Sequence, residues 1–568
     1  MDSREKIQKF LNMELTAVTE DFNKKFSAPA LHLLNESEEL FIGQFLKFDN
    51  GEMIVKFRAS RAFPRKGEYV QAMYLPKSVQ GYRQWDGVTY EDLFKNRLKG
   101  SEAVCIWLSK SSEDGFALLG FRGIEIDFAE FISKAPGAIV TLGPHGPPIY
   151  YLANLYKLSQ DEYSQKVADI LDYPYSPCES SPILIKDESP IDFIQRQIES
   201  SNITILQGPP GTGKTQLIAE LCARLCKEGK SVLVTALTNR ALIEVATKSA
   251  LQELLSNGKI LKSNLTIDEQ HEVSRLVAAK QIMPIKGSVV MGTYYITSGF
   301  AANLAGENAF DIVIMDEASQ ALTPMFAASH KIGLTNLWVG DSAQLGPVVA
   351  LNGDRVTSNG FDYFIDGLCT MVHKRQLPVY QLTKTYRLTQ RNADHPGFFY
   401  NKSLISANGN QSIGLKTLEK LIHSGGVPTL LLTDMDVADT TPQFAMELIT
   451  NIVFTILEEK PATEIAVLSC FRKSARALQK AVAVRLGIGN KVLIDTIARV
   501  QGLTTDVTIF FIPNTSLIRS LEPRLFNVAT SRAKSHTIII ADKNICEFPH
   551  MNHNVRSFME KLKAESCL

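Results

Sequence analysis

The sequence predicts an α/β protein with two parallel sheets in tandem, preceded by a small β-barrel carried on helices. Three observations lead to this fold class. Glycine-rich residues 208–215 separate a short apolar strand from a helix. Downstream of residue 186, apolar strands alternate with helical stretches, which is typical of parallel sheets. Upstream, several short strands with tight turns indicate a barrel between two helices.

Composition indicates an ordinary globular protein without a strong charge bias. The 568 residues carry 60 lysines and arginines against 60 aspartates and glutamates, so the formal net charge is zero. A nucleic-acid site would therefore be a local groove and not a global basic field. The chain is too long for one hydrophobic core. Scattered cysteines and the lack of a long apolar run favour an intracellular protein of the cytoplasm or nucleus, with no membrane partner.

Residues 1–185 are predicted to form an accessory domain. An amphipathic pattern to about residue 25 predicts a first helix, and residues 152–171 predict another. Between them, Asp49-Asn50-Gly51 is a hairpin signal that joins two apolar strands. Further strands are predicted at 69–75, 104–108 and 116–121, which gives a barrel of five or more strands.

Two further domains are predicted, at residues 186–375 and 376–568. Strands of the first are predicted at 203–206, 231–235, 289–291, 312–315 and 337–339, with a short insertion near 251–287. Strands of the second are predicted at 379–382, 430–432, 465–469, 492–494, 507–512 and 537–540. Two such sheets indicate a cleft between them, with ligands at the carboxyl ends of the strands.

A phosphate-binding loop is the strongest local motif. It reads Gly208-Pro209-Pro210-Gly211-Thr212-Gly213-Lys214-Thr215 and runs directly into a predicted helix. Backbone N–H groups at a helix N-terminus, together with the helix dipole, favour the charge of a triphosphate. Lys214 is expected at the β and γ phosphates, and Thr215 at Mg²⁺. The alternative, a glycine-rich turn that binds nothing, is disfavoured by the strand and helix on either side.

Acidic residues follow a later buried strand. Asp316 and Glu317 come directly after the apolar run 312–315, where a carboxylate is costly unless it meets a cation. We expect Asp316 to join the Mg²⁺ shell and Glu317 to accept a proton from the attacking water. The alternative is a solvated loop that carries two acids. After the next strand, Gln344 is a candidate to sense the γ-phosphate or orient water.

The order of these motifs resembles helicase superfamily one, in the branch typified by the nonsense-mediated-decay RNA helicase. The resemblance covers about residues 186–545. It is carried by the phosphate loop, Asp316-Glu317, residues 340–347, Thr385-Tyr386-Arg387, Gln501-Gly502 and residues 527–534. It implies two RecA-like domains that bind ATP and Mg²⁺. The N-terminal barrel is similar to the stalked accessory barrel of this branch.

The resemblance also implies roles for further residues. Gln195 is expected to read adenine, Tyr386 to stack on it, and Gly502 to lie at the nucleotide. Arg387 and Arg532 are expected to meet the γ-phosphate from the second lobe when the cleft closes. Hydroxyl and amide groups suit contacts to phosphate and sugar, but they are also common in strand-end loops. The candidate nucleic-acid contacts of this kind are Thr238, Asn239, Thr293 and Thr496.

Three functions are compatible with the sequence. The first is an ATP-dependent helicase or translocase on single-stranded or partly duplex DNA or RNA, acting as a monomer and moving 5′ to 3′ as the branch implies. The second is an ATP-switched clamp or ribonucleoprotein remodeller, suggested because Thr504 and Ala498 stand where the family carries acids. The third is a phosphate-loop enzyme of small molecules, which the paired lobes and the two arginine motifs oppose.

Overall fold

The computed structural model describes residues 3–58, 60–64, 67–110, 115–172, 181–186, 188–373, 377–408, 414–418, 427–436, 439–486, 492–500, 503–514 and 517–566. Within these residues the chain forms a closed barrel, a nine-stranded sheet, a five-stranded sheet and a two-stranded ribbon. None of the described helices is both long enough and apolar enough to cross a membrane. The predicted fold class is confirmed.

The N-terminal part is a barrel between helical arms. Its helices are α1 (Ser3–Phe26), α2 (Ala30–Asn35), α3 (Tyr90–Asn96), α4 (Ile126–Ser133), α5 (Tyr150–Ser159) and α6 (Gln165–Leu171). Its strands are β1 (Phe41–Asp49), β2 (Glu52–Arg58), β3 (Tyr69–Tyr74), β4 (Lys99–Lys110), β5 (Phe116–Arg122) and β6 (Ile139–Pro144). The antiparallel barrel closes in the order β1-β2-β5-β4-β3-β6. Inward-facing apolar side chains such as Val55, Leu119 and Val140 fill it.

The structure departs from the predicted accessory domain in two places. Strand β6 is an additional strand that the sequence does not predict. The helix predicted over 152–171 is interrupted between α5 and α6, where the Asp161 carboxylate accepts the N–H groups of Tyr163 and Ser164 at 3.0 Å. Ser164 then caps α6 by accepting the Val167 N–H. These side-chain bonds offer the backbone an alternative to a continuous helix.

The first lobe is a parallel sheet with helices on both faces. Its strands are β7 (Ile183–Ile185), β8 (Ile203–Gln207), β9 (Ser231–Ala236), β10 (Ile260–Ser263), β11 (Val277–Ala279), β12 (Ser288–Thr293), β13 (Phe310–Met315), β14 (Gly333–Gly340) and β15 (Val379–Leu382). Its helices are α7 (Pro190–Ser200), α8 (Lys214–Lys227), α9 (Asn239–Ala246), α10 (Gln252–Ser256), α11 (Ile267–Glu272), α12 (Tyr294–Asn303), α13 (Thr323–Ile332), α14 (Gly353–Asn359), α15 (Asp362–Ile365) and α16 (Gly367–His373). The order is β11-β10-β12-β9-β13-β14-β8-β15-β7.

One predicted strand belongs to the other lobe. Residues 379–382 were assigned by the sequence to the second sheet, but β15 pairs with β8 and β7 of the first. The second lobe therefore starts after Leu382, and the boundary predicted at 375/376 is too early. The apolar run of β15 fits a buried parallel strand in either sheet, so its composition does not reveal its partner.

The second lobe is a smaller parallel sheet. Its strands, with the ribbon β16-β17, are β16 (Lys384–Thr385), β17 (Ile405–Ser406), β18 (Thr429–Thr433), β19 (Ile465–Ser469), β20 (Leu493–Thr496), β21 (Thr505–Ile512) and β22 (Ala533–Asp542). Its helices are α17 (Gln390–Ala393), α18 (Gln443–Glu459), α19 (Arg472–Leu486), α20 (Leu517–Ser520), α21 (Pro523–Thr530) and α22 (His553–Ser566). The sheet order is β18-β22-β21-β19-β20.

The accessory part is fixed to the first lobe at both ends. Ile7 and Phe10 of α1 are fully buried in the core of that lobe. The Glu14 carboxylate accepts the backbone N–H groups of residues 350 and 351 at 2.6 and 3.0 Å. On the barrel side, the Gly123 N–H donates to Asp268 at 2.9 Å, and residues 125 and 266 form a β-bridge. These contacts join the barrel and the first lobe into one body.

Candidate nucleotide-binding active site

The phosphate loop connects β8 to α8 and is held in shape by its own bonds. Gly211 and Gly213 have φ values of +72° and +82°, in the left-handed region that favours glycine. The Thr212 hydroxyl donates to Pro209 O at 2.8 Å. Lys214 Nζ donates to Gly208 O at 2.7 Å. The loop is therefore formed in advance, with its lysine folded back over it at the N-terminus of α8.

A cavity of about 580 Å³ lies over this loop, between the two lobes. Residues 210–216 of the loop and of α8 form one wall. The structure brings seven of the sequence-predicted residues together around it: Lys214, Thr215, Glu317, Gln344, Tyr386, Arg387 and Arg532. Their positions are far apart in the chain, so the cavity is assembled by the fold and not by one local motif.

The acidic pair follows β13 and carries an electrostatic cost. Asp316 is 2% exposed. Burial, and then the neighbouring Glu317 carboxylate, raise the pKa of Asp316 well above its usual range. A buried acid of this kind is relieved by a cation. The Thr215 hydroxyl lines the cavity and Asp316 does not. Carboxylate and hydroxyl oxygens are ligands that Mg²⁺ prefers, so the donor types of these two residues fit the ion.

Two guanidinium groups enter the cavity. Arg532 is 2% exposed and donates across the cleft to Gln344 Oε1 at 3.1 Å. Arg387 donates to Ser531 O at 3.4 Å. Burial, followed by the charge of Arg532, lowers the pKa of Arg387 to about 9. Two neighbouring cations on one cavity wall favour an anion between them, and a triphosphate supplies one.

Arg387 lies at the start of the second lobe, and the segment that carries it is bonded to the phosphate loop of the first. The Thr385 hydroxyl donates to Pro210 O at 2.9 Å, and the Tyr386 N–H donates to Gly211 O at 2.7 Å. Since β15 also belongs to the first sheet, Arg387 is attached to the phosphate loop by its own backbone neighbours. Arg532, which precedes β22, also comes from the second lobe.

A hydrogen-bond network that the sequence did not predict connects the lobes behind the cavity. The buried Asp341 carboxylate accepts from Gln344 Nε2 at 2.6 Å and from the Tyr400 hydroxyl at 2.7 Å. Asn527 of α21 donates to the same hydroxyl at 2.8 Å and to Ala343 O at 2.8 Å. Burial raises the pKa of Asp341. Asp341 and Asn527 do belong to recognised motifs, whereas a buried tyrosine such as Tyr400 looks like any core residue.

The two residues expected to contact adenine, Tyr386 and Gln195, differ in their positions relative to the cavity. Tyr386 is 59% exposed at the cavity, so its ring is free to stack. Gln195 lies on α7, donates to Glu228 at 2.9 Å, and does not line the cavity. Its amide would have to leave this partner to meet a base. Gly502 lies outside the described residues.

Further polar residues line the cavity and were not singled out by the sequence. Lys534 also bonds Asp506 and Glu464, at 3.3 and 3.4 Å. Lys248 pairs with Glu244 at 3.5 Å on α9. Lys534 ends the motif at 527–534, so that motif could have identified it. No comparable signal marks Lys248. Thr504, noted as a departure from the family, also lines the cavity.

The candidate nucleic-acid contacts lie apart from the cavity, at the carboxyl ends of parallel strands. Thr238 follows β9 and caps α9 by accepting the Ala241 N–H at 3.2 Å, and Asn239 is the exposed first residue of that helix. Thr293 ends the neighbouring strand β12, while Thr496 ends β20 in the other sheet. The strand ends of both sheets therefore offer hydroxyl groups, and their contact with nucleic acid stays a prediction.

These features define a class of protein: a phosphate-loop nucleoside triphosphatase whose site lies between two RecA-like lobes. Two family models, each described as an AAA domain, match residues 186–283 and 367–544. The first covers the phosphate loop, and the second covers both arginine motifs. Both matches agree with the resemblance of this chain to helicase superfamily one.

Curated relatives agree with the resemblance to helicase superfamily one. The DNA replication ATP-dependent helicase/nuclease DNA2 of Saccharomyces cerevisiae is 26% identical over 430 residues, which is 69% of this chain and 28% of that protein. Its counterpart in Schizosaccharomyces pombe is 22% identical over 487 residues, which is 72% of this chain and 33% of that protein. The chain thus spans a third or less of the length of these relatives.

Solved helicase structures were also matched. A crystal structure of Arterivirus nonstructural protein 10 (helicase) is 12% identical, with a TM-score of 0.36, over 87% of this chain and 79% of that one. The Pyrococcus furiosus Hef helicase domain is 11% identical, with a TM-score of 0.29, over 65% of this chain and 97% of that one.

Proposed function

We propose that this chain is an ATP-dependent helicase or translocase that moves 5′ to 3′ along single-stranded nucleic acid. The observation that carries the proposal is the contact between Arg532 and Gln344 over the phosphate loop. An arginine supplied by one lobe to the nucleotide of the other makes the lobe geometry depend on the state of the γ-phosphate. That dependence is what a motor requires.

The side chains would divide the chemistry as follows. Lys214 and Arg387 bind the phosphates on the first lobe, and Arg532 adds charge as the γ-phosphate departs. Glu317 accepts the proton of the attacking water, which Gln344 orients. Mg²⁺, when held by Thr215 and Asp316, supplies positive charge to the phosphate oxygens. Hydrolysis removes the anion that draws Arg532 inward, so the lobes are released.

The strand would lie across the carboxyl ends of both sheets. Thr238, Asn239 and Thr293 offer contacts on the first lobe, and Thr496 offers one on the second. Contacts of this type bind backbone without reading sequence. Because the curated relatives are named as DNA replication helicase/nucleases, we propose DNA as the substrate, with RNA as the competing outcome.

The decisive experiment is an ATPase titration with matched single-stranded DNA and RNA oligomers. We expect hydrolysis to rise many-fold with DNA and to be abolished in Lys214→Ala and Glu317→Gln. Duplexes with 5′ or 3′ single-stranded overhangs then test polarity, and unwinding is expected from the 5′ overhang. Hydrolysis that ignores both oligomers would contradict the proposal, and unwinding from the 3′ overhang would reverse the direction.

A second function is kept because of Thr504. This hydroxyl lines the cavity where the resemblance leads one to expect an acid, and an acid there would help couple turnover to nucleic acid. An ATP-switched clamp would bind single strands tightly with ATP and turn over slowly or not at all. Strand binding measured with Glu317→Gln beside the unmodified chain separates the two functions: a clamp gives equal retention in both, and a motor retains the strand longer in the variant.

A further inference from the structure

The peptide that joins Asp316 to Glu317 is held from both sides. Its N–H is that of Glu317 and donates to Asp316 Oδ1 at 2.9 Å. The Asp316 carbonyl accepts a hydrogen bond from the Tyr294 hydroxyl. Glu317 then adopts a φ of +52°, a left-handed conformation that costs free energy for a residue with a side chain. The direction of the Glu317 carboxylate therefore depends on a peptide that Tyr294 helps to fix.

Tyr294 also lies at the start of a helix, next to a proposed nucleic-acid contact. It is the first residue of α12, directly after Thr293, which is a proposed nucleic-acid contact. On the next turn, the Thr297 hydroxyl donates to Thr293 O at 3.2 Å and lies 3.2 Å from the Thr235 hydroxyl. The first turn of α12 is thus bonded both to the end of β9 and to the acidic pair.

The chemistry of Tyr294 suits a permanent donor. Its ring is 1% exposed, and a carbonyl oxygen has no hydrogen to give, so the phenol must donate. Burial raises the pKa of Tyr294 well above its ordinary value, which favours the protonated phenol that donates this bond. If packing were the only role of this side chain, phenylalanine would fill the same space without a polar group to satisfy.

We propose that Tyr294 is a positioning residue that couples nucleic-acid contact at the start of α12 to the orientation of Glu317. This inference rests on the proposed function and deepens it. A strand that binds at Thr293 orders the first turn of α12, and the Tyr294 hydroxyl transmits that order to the Asp316–Glu317 peptide. The physical warrant is a continuous series of hydrogen bonds that runs from Thr293 through the first turn of α12 to the Asp316–Glu317 peptide.

The test compares Tyr294→Phe with the unmodified chain, with and without saturating single-stranded DNA. We expect kcat with DNA to fall about tenfold, as for loss of about 1.4 kcal/mol of transition-state stabilisation, and to fall more than the rate without DNA. The KM for ATP and the Kd for the strand should stay within about twofold, because neither is contacted by this hydroxyl. The stimulation ratio is the readout that a purely structural role would not move.

A matched control and a double variant complete the test. Tyr90→Phe removes an equally buried hydroxyl that donates to Pro144 O at 2.8 Å inside the barrel, and it should leave the stimulation ratio unchanged. Thr293→Ala should lower the ratio, and adding Tyr294→Phe to it should lower the ratio less than the two single effects combined. Retained binding of a fluorescent ATP analogue shows that Tyr294→Phe is folded.

The outcomes separate this inference from the proposed function. If DNA stimulates the unmodified chain and Tyr294→Phe keeps the same ratio, Tyr294 does not couple the sites and the proposed function stands. Equal proportional loss with and without DNA would also overturn the coupling. If neither DNA nor RNA stimulates the unmodified chain, both ideas fall together.

Discussion

Arg532 of the second lobe donates a hydrogen bond of 3.1 Å to the side chain of Gln344 in the first lobe. Both side chains are buried, and both line the cavity above the phosphate loop. The bond therefore holds the guanidinium beside the place where the γ-phosphate would lie. A charge that is held in place before the reaction stabilises the transition state without a cost of reorganisation.

Replacing Arg532 should slow chemistry more than binding. We expect Arg532→Ala to reduce kcat by about 10³-fold or more, since an arginine finger contributes on that scale. Arg532→Lys should recover little, because an ammonium group cannot bond Gln344 and phosphate in the same planar arrangement. The measurement is steady-state ATP hydrolysis with saturating strand. Arg196→Ala, on the exposed face of α7, is the control, and an equal loss there would contradict a specific role for Arg532.

Removing the Tyr400 hydroxyl should weaken both stability and turnover. Tyr400→Phe leaves the ring but takes away the donor to Asp341 and the acceptor of Asn527, so buried polar groups lose partners at a cost of about 1–3 kcal/mol. The free energy of unfolding, measured with urea, should fall by that amount, and kcat should fall as well. Tyr380→Phe breaks a bond to Gln197 outside the cavity and should leave kcat unchanged. A Tyr400→Phe variant with normal kcat would remove Tyr400 from the coupling of the lobes.

The nucleotide-free protein should lose stability as the pH rises because of Asp316. Burial raises the pKa of Asp316 to about 7 in the folded state, so between about pH 4 and that value the unfolded chain ionises this group while the folded chain keeps it neutral. Stability from this source is present at low pH and is lost as pH rises towards the raised pKa. Asp316→Asn does not titrate, so at pH 8 it should be more stable than the unmodified chain by on the order of 1–3 kcal/mol.

Urea unfolding at pH 5 and pH 8 measures this difference. The gain of Asp316→Asn should be larger at pH 8 and should be offset when Mg²⁺ and nucleotide stabilise the unmodified chain. Asp86→Asn, at an exposed position of the barrel, is the control and should show no such pH dependence. A gain of equal size at both pH values would show that Asp316 is not the titrating group.

Gly211 should not tolerate a side chain. Its φ is +72°, and a Cβ there would lie 2.3 Å from Arg387 Cβ and 2.7 Å from the Thr385 hydroxyl. Gly211→Ala should therefore displace Arg387 together with the loop, and binding of a fluorescent ATP analogue should fall at least tenfold. Gly306→Ala, which meets nothing within 4 Å, is the matched control. Normal nucleotide binding by Gly211→Ala would contradict the close approach of these two segments.

The composition of the site could be predicted from sequence because its parts are short motifs with fixed spacing. The phosphate loop, Glu317 and Arg532 each lie in such a motif, and the structure gathers them around one cavity. The sheet to which β15 belongs could not be predicted in this way. A run of buried apolar residues specifies a strand but not its neighbour, and the neighbour decided where the first lobe ends.

The roles of the tyrosines that connect parts of the site could not be predicted from the sequence for a different reason. Tyr294 and Tyr400 have the pattern of core residues, and only their hydroxyl groups distinguish their roles. Those hydroxyls meet partners 22 and 59 residues away, at positions that the fold sets. The adenine contact of Gln195, which the resemblance implies, stays a prediction: the amide of Gln195 donates to Glu228 in this structure.

The barrel is attached to the first lobe, and this attachment determines which movements a probe on the barrel can follow. Since α1 lies in the core of that lobe and residue 266 bridges the barrel, the barrel is expected to move together with the first lobe. A Cβ at Gly67 would lie 3.5 Å from Arg499 Nη1 of the second lobe. A change in the distance between these two residues would therefore report a movement of the second lobe relative to the first. A pair of fluorophores on either side would follow each catalytic cycle from a place remote from the chemistry.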